Sequence, residues 1–196
     1  MAIHYAGIKT ILREVVLSDK PVEMLTLSPK ATVPVLQLEN GTVIDESLDI
    51  IDWALANSDT DGWRSRLNAQ EVSLANKLIT ENDTEFKIHL DYYKYADRFP
   101  EQNMEDSRAQ ADIFLRQLEV CLQRNRYLVS EHISFADIAI FPFIRQFAHV
   151  DYAWFEQANH VNLQKWLREL MGSERFAAVM VKHQPWQQGD AEVYFP

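Results

Sequence analysis

The stretch VPVLQLENGTVID, residues 33–45, restricts the fold more than any other part of the chain. Asn40-Gly41 stands between two runs of β-forming residues, and this dipeptide is the strongest signal in the chain for a short turn that joins antiparallel strands. The pattern predicts strands at 33–38 and 42–45 joined as a hairpin. Apolar residues at helical spacing follow from 46 to 56, so the hairpin is expected to lead directly into a helix.

The residues before the hairpin extend this α/β region. Residues 1–8 are typical of a helix end, with Gly7 in the left-handed position that closes many helices. Residues 10–17 are rich in β-branched side chains and predict a strand. Residues 18–28 are expected to be irregular or to form a short helix.

After a polar stretch at 57–63, almost the whole chain is predicted to be helical. The predicted helical segments are 64–97 with a break near Asp83, the residues after the cap Asn103, the residues after the capping pair Ser134 and Asp137, and those near 160–172 and 174–183. The tail beyond them is expected to be irregular. We therefore expect an α/β domain at 1–56, a linker at 57–63 and an all-helical domain at 64–196.

Composition and charge argue against several classes of partner. The net charge of −10 is unfavourable for binding a phosphate backbone, so no nucleic acid partner is expected. A run of about 18 apolar residues, which a membrane span requires, is absent from the sequence. Cys121 is the only cysteine and lies on an apolar helical stripe, which favours an unreactive thiol in a reducing cytoplasm. No histidine or cysteine spacing typical of a metal site is present, so no metal is expected.

Pro34 stands at the head of the first predicted hairpin strand, where a proline removes a backbone hydrogen-bond donor. The commoner interpretation is an ordinary strand start. The alternative is a cis Val33-Pro34 bond, which leaves the N–H and C=O groups of Val33 free to pair with an extended peptide.

Glu46 and Ser47 open the helix after the hairpin, and two interpretations fit them. The first is a plain helix cap with an acid that matches the helix dipole. The second is a charge clamp, in which the Ser47 hydroxyl and the first helical N–H groups hold a carboxylate while Glu46 holds an ammonium. One α-amino acid head carries both of these charges.

An aromatic and charged cluster lies at 86–99. Its side chains either line a ligand pocket or pack in a seam between helices with their polar tips in water. The candidate pocket residues are His89, Tyr92, Tyr93, Tyr95 and Phe99. The chain contains no self-contained catalytic motif.

Taken together, SPKATVPVL…NGTVIDESLDI, the linker and SFADIAIFPFIRQF resemble the glutathione transferases of the soluble bacterial type. The resemblance covers nearly the whole chain and implies a thioredoxin-like N-terminal domain, a helical C-terminal domain and a homodimer. It implies that Val33, beside a cis Pro34, presents its backbone to the cysteinyl part of glutathione, and that Glu46 and Ser47 hold the γ-glutamyl head. It also implies a pocket for a small-molecule electrophile between the domains, at 89–99.

One part of the family pattern has no counterpart in the sequence. The family's catalytic serine, cysteine or tyrosine follows its first strand, whereas residues 2–17 resemble the end of its first helix and its second strand. Tyr5 is therefore not assigned the catalytic role, and no catalytic residue is identified. The resemblance implies that about 15 residues, the first strand and the catalytic turn, are missing. We expect weak or no conjugating activity from this chain.

The missing strand is a central one in the sheet order 2-1-3-4 that the resemblance implies. Residues 11–17 would then lose their only neighbour, and unpaired backbone groups are costly. We expect one of three outcomes: residues 11–17 pair with 33–38, pair with another subunit, or detach.

Three functions remain open at this point. The first is a glutathione transferase that uses glutathione as co-substrate and conjugates or reduces small electrophiles in its full-length form. The second is a non-catalytic binding or regulatory module on the same scaffold. The third is a structural protein whose dimer surface is its function.

Overall fold

The computed structural model describes residues 1–195 of the chain. The α-helices are α1 (Ala2–Ala6), α2 (Val22–Leu27), α3 (Ser47–Asn57), α4 (Ala69–Glu81), α5 (Lys87–Lys94), α6 (Met104–Arg124), α7 (Phe135–Ala148), α8 (Tyr152–Gln157), α9 (Val161–Met171) and α10 (Glu174–Val179). The strands are β1 (Thr10–Leu12), β2 (Leu36–Gln37), β3 (Val43–Ile44) and β4 (Val193–Phe195).

The chain divides into two compact units. The first consists of Met1–Thr60 together with the segment that begins at Glu174, and the second is Asp61–Ser173. The first unit combines helices with short antiparallel strands, whereas the second is helical. The predicted class, an α/β part followed by an all-helical part, is confirmed.

The predicted hairpin is present between β2 and β3. Leu36 pairs with Ile44 and Gln37 with Val43 in antiparallel register. Gly41 has a φ of 86°, an angle that glycine adopts without steric cost. The helix predicted after the hairpin is α3, which packs against α1. Its buried face consists of Ile50, Ile51, Ala54 and Leu55.

The strand predicted at 10–17 pairs in a way that none of the three expected outcomes describes. Its regular part, β1, pairs antiparallel with β4 from the C-terminal tail, with Ile11 opposite Tyr194. The expectations that residues 11–17 would pair with 33–38 or detach were therefore wrong for β1, and that of an irregular tail was wrong at Val193–Phe195. Pairing of this segment with another subunit stays a prediction. Beyond Leu12 the pairing continues only as isolated bridges, such as Glu14 with Pro185.

Side chains and backbone both attach the tail to β1. The Trp186 N–H donates to the Glu14 carbonyl at 2.8 Å. The Arg13 guanidinium lies 4.4 Å from the centre of the Trp186 ring, and the Lys9 ammonium lies 4.0 Å from that of Tyr194. Cation–π contacts of this kind add a modest attraction at exposed sites. The tail thus satisfies the backbone groups of β1 that would otherwise lack partners.

Replacing Trp186 and Tyr194 together by alanine should loosen the tail without unfolding the unit. We expect the amide protons of residues 10–14 to exchange several-fold faster, because both cation–π contacts are lost. Exchange in β2 and β3 should not change. Native-state hydrogen exchange measures both, with Tyr152→Ala, an exposed tyrosine of the helical unit, as the control. Equal acceleration in all strands would contradict a local role for the tail.

The second unit buries an aromatic and aliphatic core between its helices. Phe86 contacts Phe114 and Phe147, with ring centres 5.2 and 5.7 Å apart. The fully buried large side chains of this unit include Trp63, Tyr93, Phe141, Phe155, Leu115 and Leu118. The predicted capping pair is present at the start of α7, where the Asp137 carboxylate accepts from the Ser134 N–H at 2.9 Å.

The long helix predicted from 64 is interrupted and starts later. The break expected near Asp83 is a turn of π-helix at Asn82–Phe86. The helix begins only at Ala69, because Asn68 and Glu71 form a capping box there. This is a local signal that the hydrophobic pattern alone does not reveal. Among the described residues, no helix has the length and apolar composition needed to cross a membrane.

Candidate functional site

The Val33-Pro34 peptide bond is cis, in agreement with the less common interpretation of this sequence. Within residues 1–195, the N–H and C=O groups of Val33 make no hydrogen bond. Val33 as a whole is 44% exposed, and regular pairing of the hairpin begins only at Leu36. The backbone of Val33 is therefore free to pair with an extended ligand.

Glu46 and Ser47 lie at the N-terminus of α3, as predicted, but their roles in the helix differ from a simple serine cap. Glu46 occupies the N-cap position with no capping side-chain bond, and Ser47 is the first helical residue. The Ser47 hydroxyl makes no hydrogen bond within the described part of the chain. A free hydroxyl beside the first helical N–H groups is suited to an anion, because these groups have no partner inside the helix.

Sequence reasoning missed a cation at this helix start. The Lys30 ammonium lies 2.7 Å from Glu46 Oε1 and 3.1 Å from Asp45 Oδ1. The other carboxylate oxygen of Asp45 accepts from the buried Ser28 hydroxyl at 2.7 Å. The adjacent acids Asp45 and Glu46 were the available signal, because two neighbouring carboxylates favour a cation nearby.

The protonation states of this network follow from its contacts. The hydrogen bond from Ser28, followed by the one from Lys30, lowers the pKa of Asp45. The hydrogen bonds to Glu46 and Asp45 raise the pKa of Lys30. Asp45 and Lys30 are therefore both charged at neutral pH.

The aromatic residues predicted for a pocket fall into separate contact groups. Tyr92 contacts Phe99 at 4.9 Å and His89 at 6.4 Å, measured between ring centres, and all three side chains are half-buried. The ring of Tyr95 lies between two cations, 4.6 Å from the Lys94 ammonium and 4.5 Å from the Arg98 guanidinium.

Tyr93 lies instead in the core of the helical unit. Its side chain is 1% exposed, and its ring centre lies 5.1 Å from that of Phe147. Burial raises the pKa of its hydroxyl, although the guanidinium of Arg108 opposes the shift. The half-buried members of the aromatic cluster, His89, Tyr92, Tyr95 and Phe99, remain the better candidates for contact with a small molecule.

Tyr5 and Cys121, the remaining candidates for a nucleophile, lie in surroundings that do not activate them. The Tyr5 hydroxyl donates to Asp59 at 2.9 Å, and its ring is buried. Cys121 is half-buried on α6, and burial raises its pKa, which keeps the thiol protonated and unreactive at neutral pH. No group of three or more potential metal ligands is found among residues 1–195.

Solved glutathione transferases share the fold at low sequence identity. BphK, a bacterial glutathione S-transferase solved as a ternary complex, matches with a TM-score of 0.76 and 19% identity over 91% of this chain and 90% of its own. Glutathione S-transferase-I bound with lactoylglutathione matches at 0.71 and 19% over 91% of each chain. A homologue from Sulfitobacter with bound glutathione matches at 0.65 and 17% over 81% of this chain and 77% of its own. The fold is therefore a thioredoxin-like part plus an all-helical part.

Comparison with family models also assigns the N-terminal α/β part and the helical part to two separate domains. No curated protein matches the sequence. Residues 1–56 match the model of the glutathione S-transferase N-terminal domain, and residues 82–174 match that of the C-terminal domain. The two models together account for most of the chain, in the order typical of the family. The chain belongs to the glutathione S-transferase family.

Proposed function

We propose that this protein binds glutathione through the backbone of Val33, the carboxylate of Glu46 and the hydroxyl of Ser47. The Val33 N–H and C=O groups pair with the cysteinyl backbone of the ligand. The carboxylate of the γ-glutamyl head is bound by Ser47 and the first N–H groups of α3, and its ammonium by Glu46. The observation that carries the proposal is that the Val33 backbone groups and the Ser47 hydroxyl have no partner within the described residues.

The comparisons support glutathione rather than another amino acid derivative. The Sulfitobacter homologue holds glutathione, and glutathione S-transferase-I holds lactoylglutathione. A free amino acid would use the clamp at α3 but would leave the Val33 backbone without a partner. A γ-glutamyl peptide has both an amino acid head and an extended backbone, so it can use both sets of groups.

The proposed activity is the conjugation or reduction of small electrophiles, with glutathione as co-substrate, by a cytoplasmic homodimer. Turnover by the chain itself is expected to be weak, because no catalytic serine, cysteine or tyrosine is identified in it. The half-buried aromatic residues His89, Tyr92, Tyr95 and Phe99 are proposed to contact the electrophile. Conjugation joins the glutathione sulfur to an electrophilic carbon and releases the leaving group and a proton. It requires the thiolate, because the protonated thiol is a poor nucleophile.

A non-catalytic binding module is the second candidate. The observation that favours it is the state of two nucleophile candidates, since the Tyr5 hydroxyl is bonded to Asp59 and the Cys121 thiol has a raised pKa. Measuring turnover with glutathione and an electron-poor aryl halide separates the candidates. Binding with little turnover supports the module, whereas robust turnover supports the enzyme.

The clamp is tested by titrating glutathione into the wild type and into Glu46→Gln by calorimetry. The substitution preserves the shape of the side chain but removes its charge, so we expect binding to weaken by about tenfold or more. Ser47→Ala should weaken it by a smaller factor, because one neutral hydrogen bond is lost.

Glu39→Gln is the matched control, because Glu39 is an exposed acid at the hairpin turn of the same unit. It changes the net charge equally and should leave the affinity unchanged. Equal affinities for the wild type, Glu46→Gln and Glu39→Gln would rule out the clamp.

A further inference from the structure

The position of the Lys30 ammonium is informative about the site. It lies 2.7 Å from the Glu46 carboxylate, which is hydrogen-bonding distance for an ammonium and a carboxylate. In the proposed function this carboxylate binds the ammonium of the ligand. The chain therefore places one of its own ammonium groups on the ligand's partner.

Lys30 contacts two carboxylates, so it can break its contact with Glu46 and remain paired with Asp45. Its second contact, with Asp45, is 3.1 Å long, and Asp45 is held in place by the buried Ser28 hydroxyl. The side chains differ in exposure, with Glu46 61% exposed and Asp45 25% exposed. Lys30 itself is 52% exposed, so its flexible stem can move without disturbing the core.

We propose that Lys30 is a specificity-determining residue that competes with the ligand's ammonium for Glu46. The inference rests on the proposed function of the Glu46 clamp. A ligand with a free α-ammonium displaces Lys30, which then stays paired with Asp45. A ligand that lacks the ammonium leaves Lys30 on Glu46.

The competition has a limited strength. Ion pairs between exposed side chains contribute little, because water screens the charges and holding two long side chains costs entropy. In the wild type, the ligand must break the contact between Lys30 and Glu46 in order to bind. This requirement should therefore reduce the affinity for the ligand by only about twofold to fivefold relative to a protein without the contact. That is small enough for a ligand to overcome and large enough to measure.

Calorimetry with two ligands tests the proposal. Lys30→Met removes the ammonium and keeps an unbranched side chain. Glutathione should bind Lys30→Met about twofold to fivefold more tightly than the wild type at physiological ionic strength. N-acetyl-glutathione has no ammonium to place on Glu46, so its affinity should not increase. A residue with a merely structural role would change both affinities alike.

Lys20→Met is the matched control for the loss of one positive charge. Lys20 belongs to the same unit, and its ammonium donates to the carbonyl of Leu17 rather than to the acids at α3. This variant should bind both ligands as the wild type does. Circular dichroism of both variants should match that of the wild type, because neither lysine is buried.

The outcomes separate the inference from the function on which it rests. If the wild type binds glutathione and Lys30→Met binds it equally or more weakly, Lys30 is not a competitor and the inference is wrong while the clamp stands. If the gain is the same for N-acetyl-glutathione, the effect does not involve the ligand's ammonium, and the inference is again wrong. If neither protein binds glutathione, the proposed function fails and the inference fails with it.

Discussion

Replacing Asp137 by alanine is expected to lower the free energy of unfolding by about 3–5 kcal/mol, because one buried carboxylate satisfies donors from three parts of the helical unit. Its Oδ1 accepts from the Leu128 N–H at 3.0 Å and from the Trp166 indole at 2.9 Å. Its Oδ2 accepts from the N–H and the hydroxyl of Ser134 at 2.9 and 2.7 Å. Alanine would leave these donors buried without an acceptor.

The charge of Asp137 reflects two opposing effects. Burial raises the pKa of the carboxyl above its usual value, whereas the hydrogen bonds from Leu128, Ser134 and Trp166 lower it. Asp137→Asn preserves the shape but presents an amide N–H₂ to a site in which every group except the Ser134 hydroxyl can only donate. We therefore expect Asp137→Asn to be destabilised as well, although the cavity left by alanine is avoided.

Urea denaturation of the wild type, Asp137→Ala and Asp151→Ala measures the difference. Asp151 also caps a helix, α8, by accepting from the Trp154 N–H at 2.9 Å, but it is only half-buried and makes a single such bond. Its replacement should cost about 1 kcal/mol. If Asp137→Ala and Asp151→Ala lower the free energy of unfolding equally, Asp137 stabilises the protein only as an N-terminal helix cap does.

Glu119→Ala is expected to lower the free energy of unfolding by about 2–4 kcal/mol, because the Glu119 side chain of α6 caps the N-terminus of α9. The buried carboxylate of Glu119 accepts from the backbone N–H groups of Asn162 and Leu163 at 3.0 and 2.9 Å. It also accepts from the Asn162 side chain at 2.7 Å. The N-cap residue of α9, His160, supplies no capping side-chain bond of its own.

A second contact joins α6 to the N-terminus of α9 and limits the effect of Glu119→Ala to local loosening. His160 is hydrogen-bonded through Nε2 to Asp112, which also accepts from Arg116. Asp112 and Glu119 are seven residues apart on α6, so their side chains lie on the same face. Removing Glu119 alone should therefore loosen the start of α9 without detaching it.

Denaturant unfolding of Glu119→Ala and of Glu105→Ala tests this arrangement. Glu105 is an exposed acid in the first turn of the same helix, so its loss should cost well under 1 kcal/mol. Hydrogen exchange should show the amides of Asn162 and Leu163 becoming the most affected in Glu119→Ala. Unchanged exchange at these amides would show that Glu119 is not the cap.

Several features of the fold and the site were predictable because they depend on neighbours in sequence. The hairpin followed from Asn40-Gly41, and the start of α7 from the spacing of Ser134 and Asp137. The place of Glu46 and Ser47 at a helix start was also predicted, whereas for Val33 the local signals favoured an ordinary strand start and only the family resemblance implied a free backbone. In each case, the residues that make the contact lie within a few positions of one another.

The sequence alone determined most of the order of the elements and the groups that we propose to bind a γ-glutamyl ligand, since turn, cap and helix signals act over short distances. Only the tertiary structure decided which distant segments meet. Strand β4 pairs with β1 although most of the sequence separates the two. Glu119 caps a helix that begins 42 positions later at Val161, and Lys30 contacts Glu46, from which it is separated in sequence by the hairpin. These contacts depend on packing that brings remote residues together, and local propensity carries no information about it.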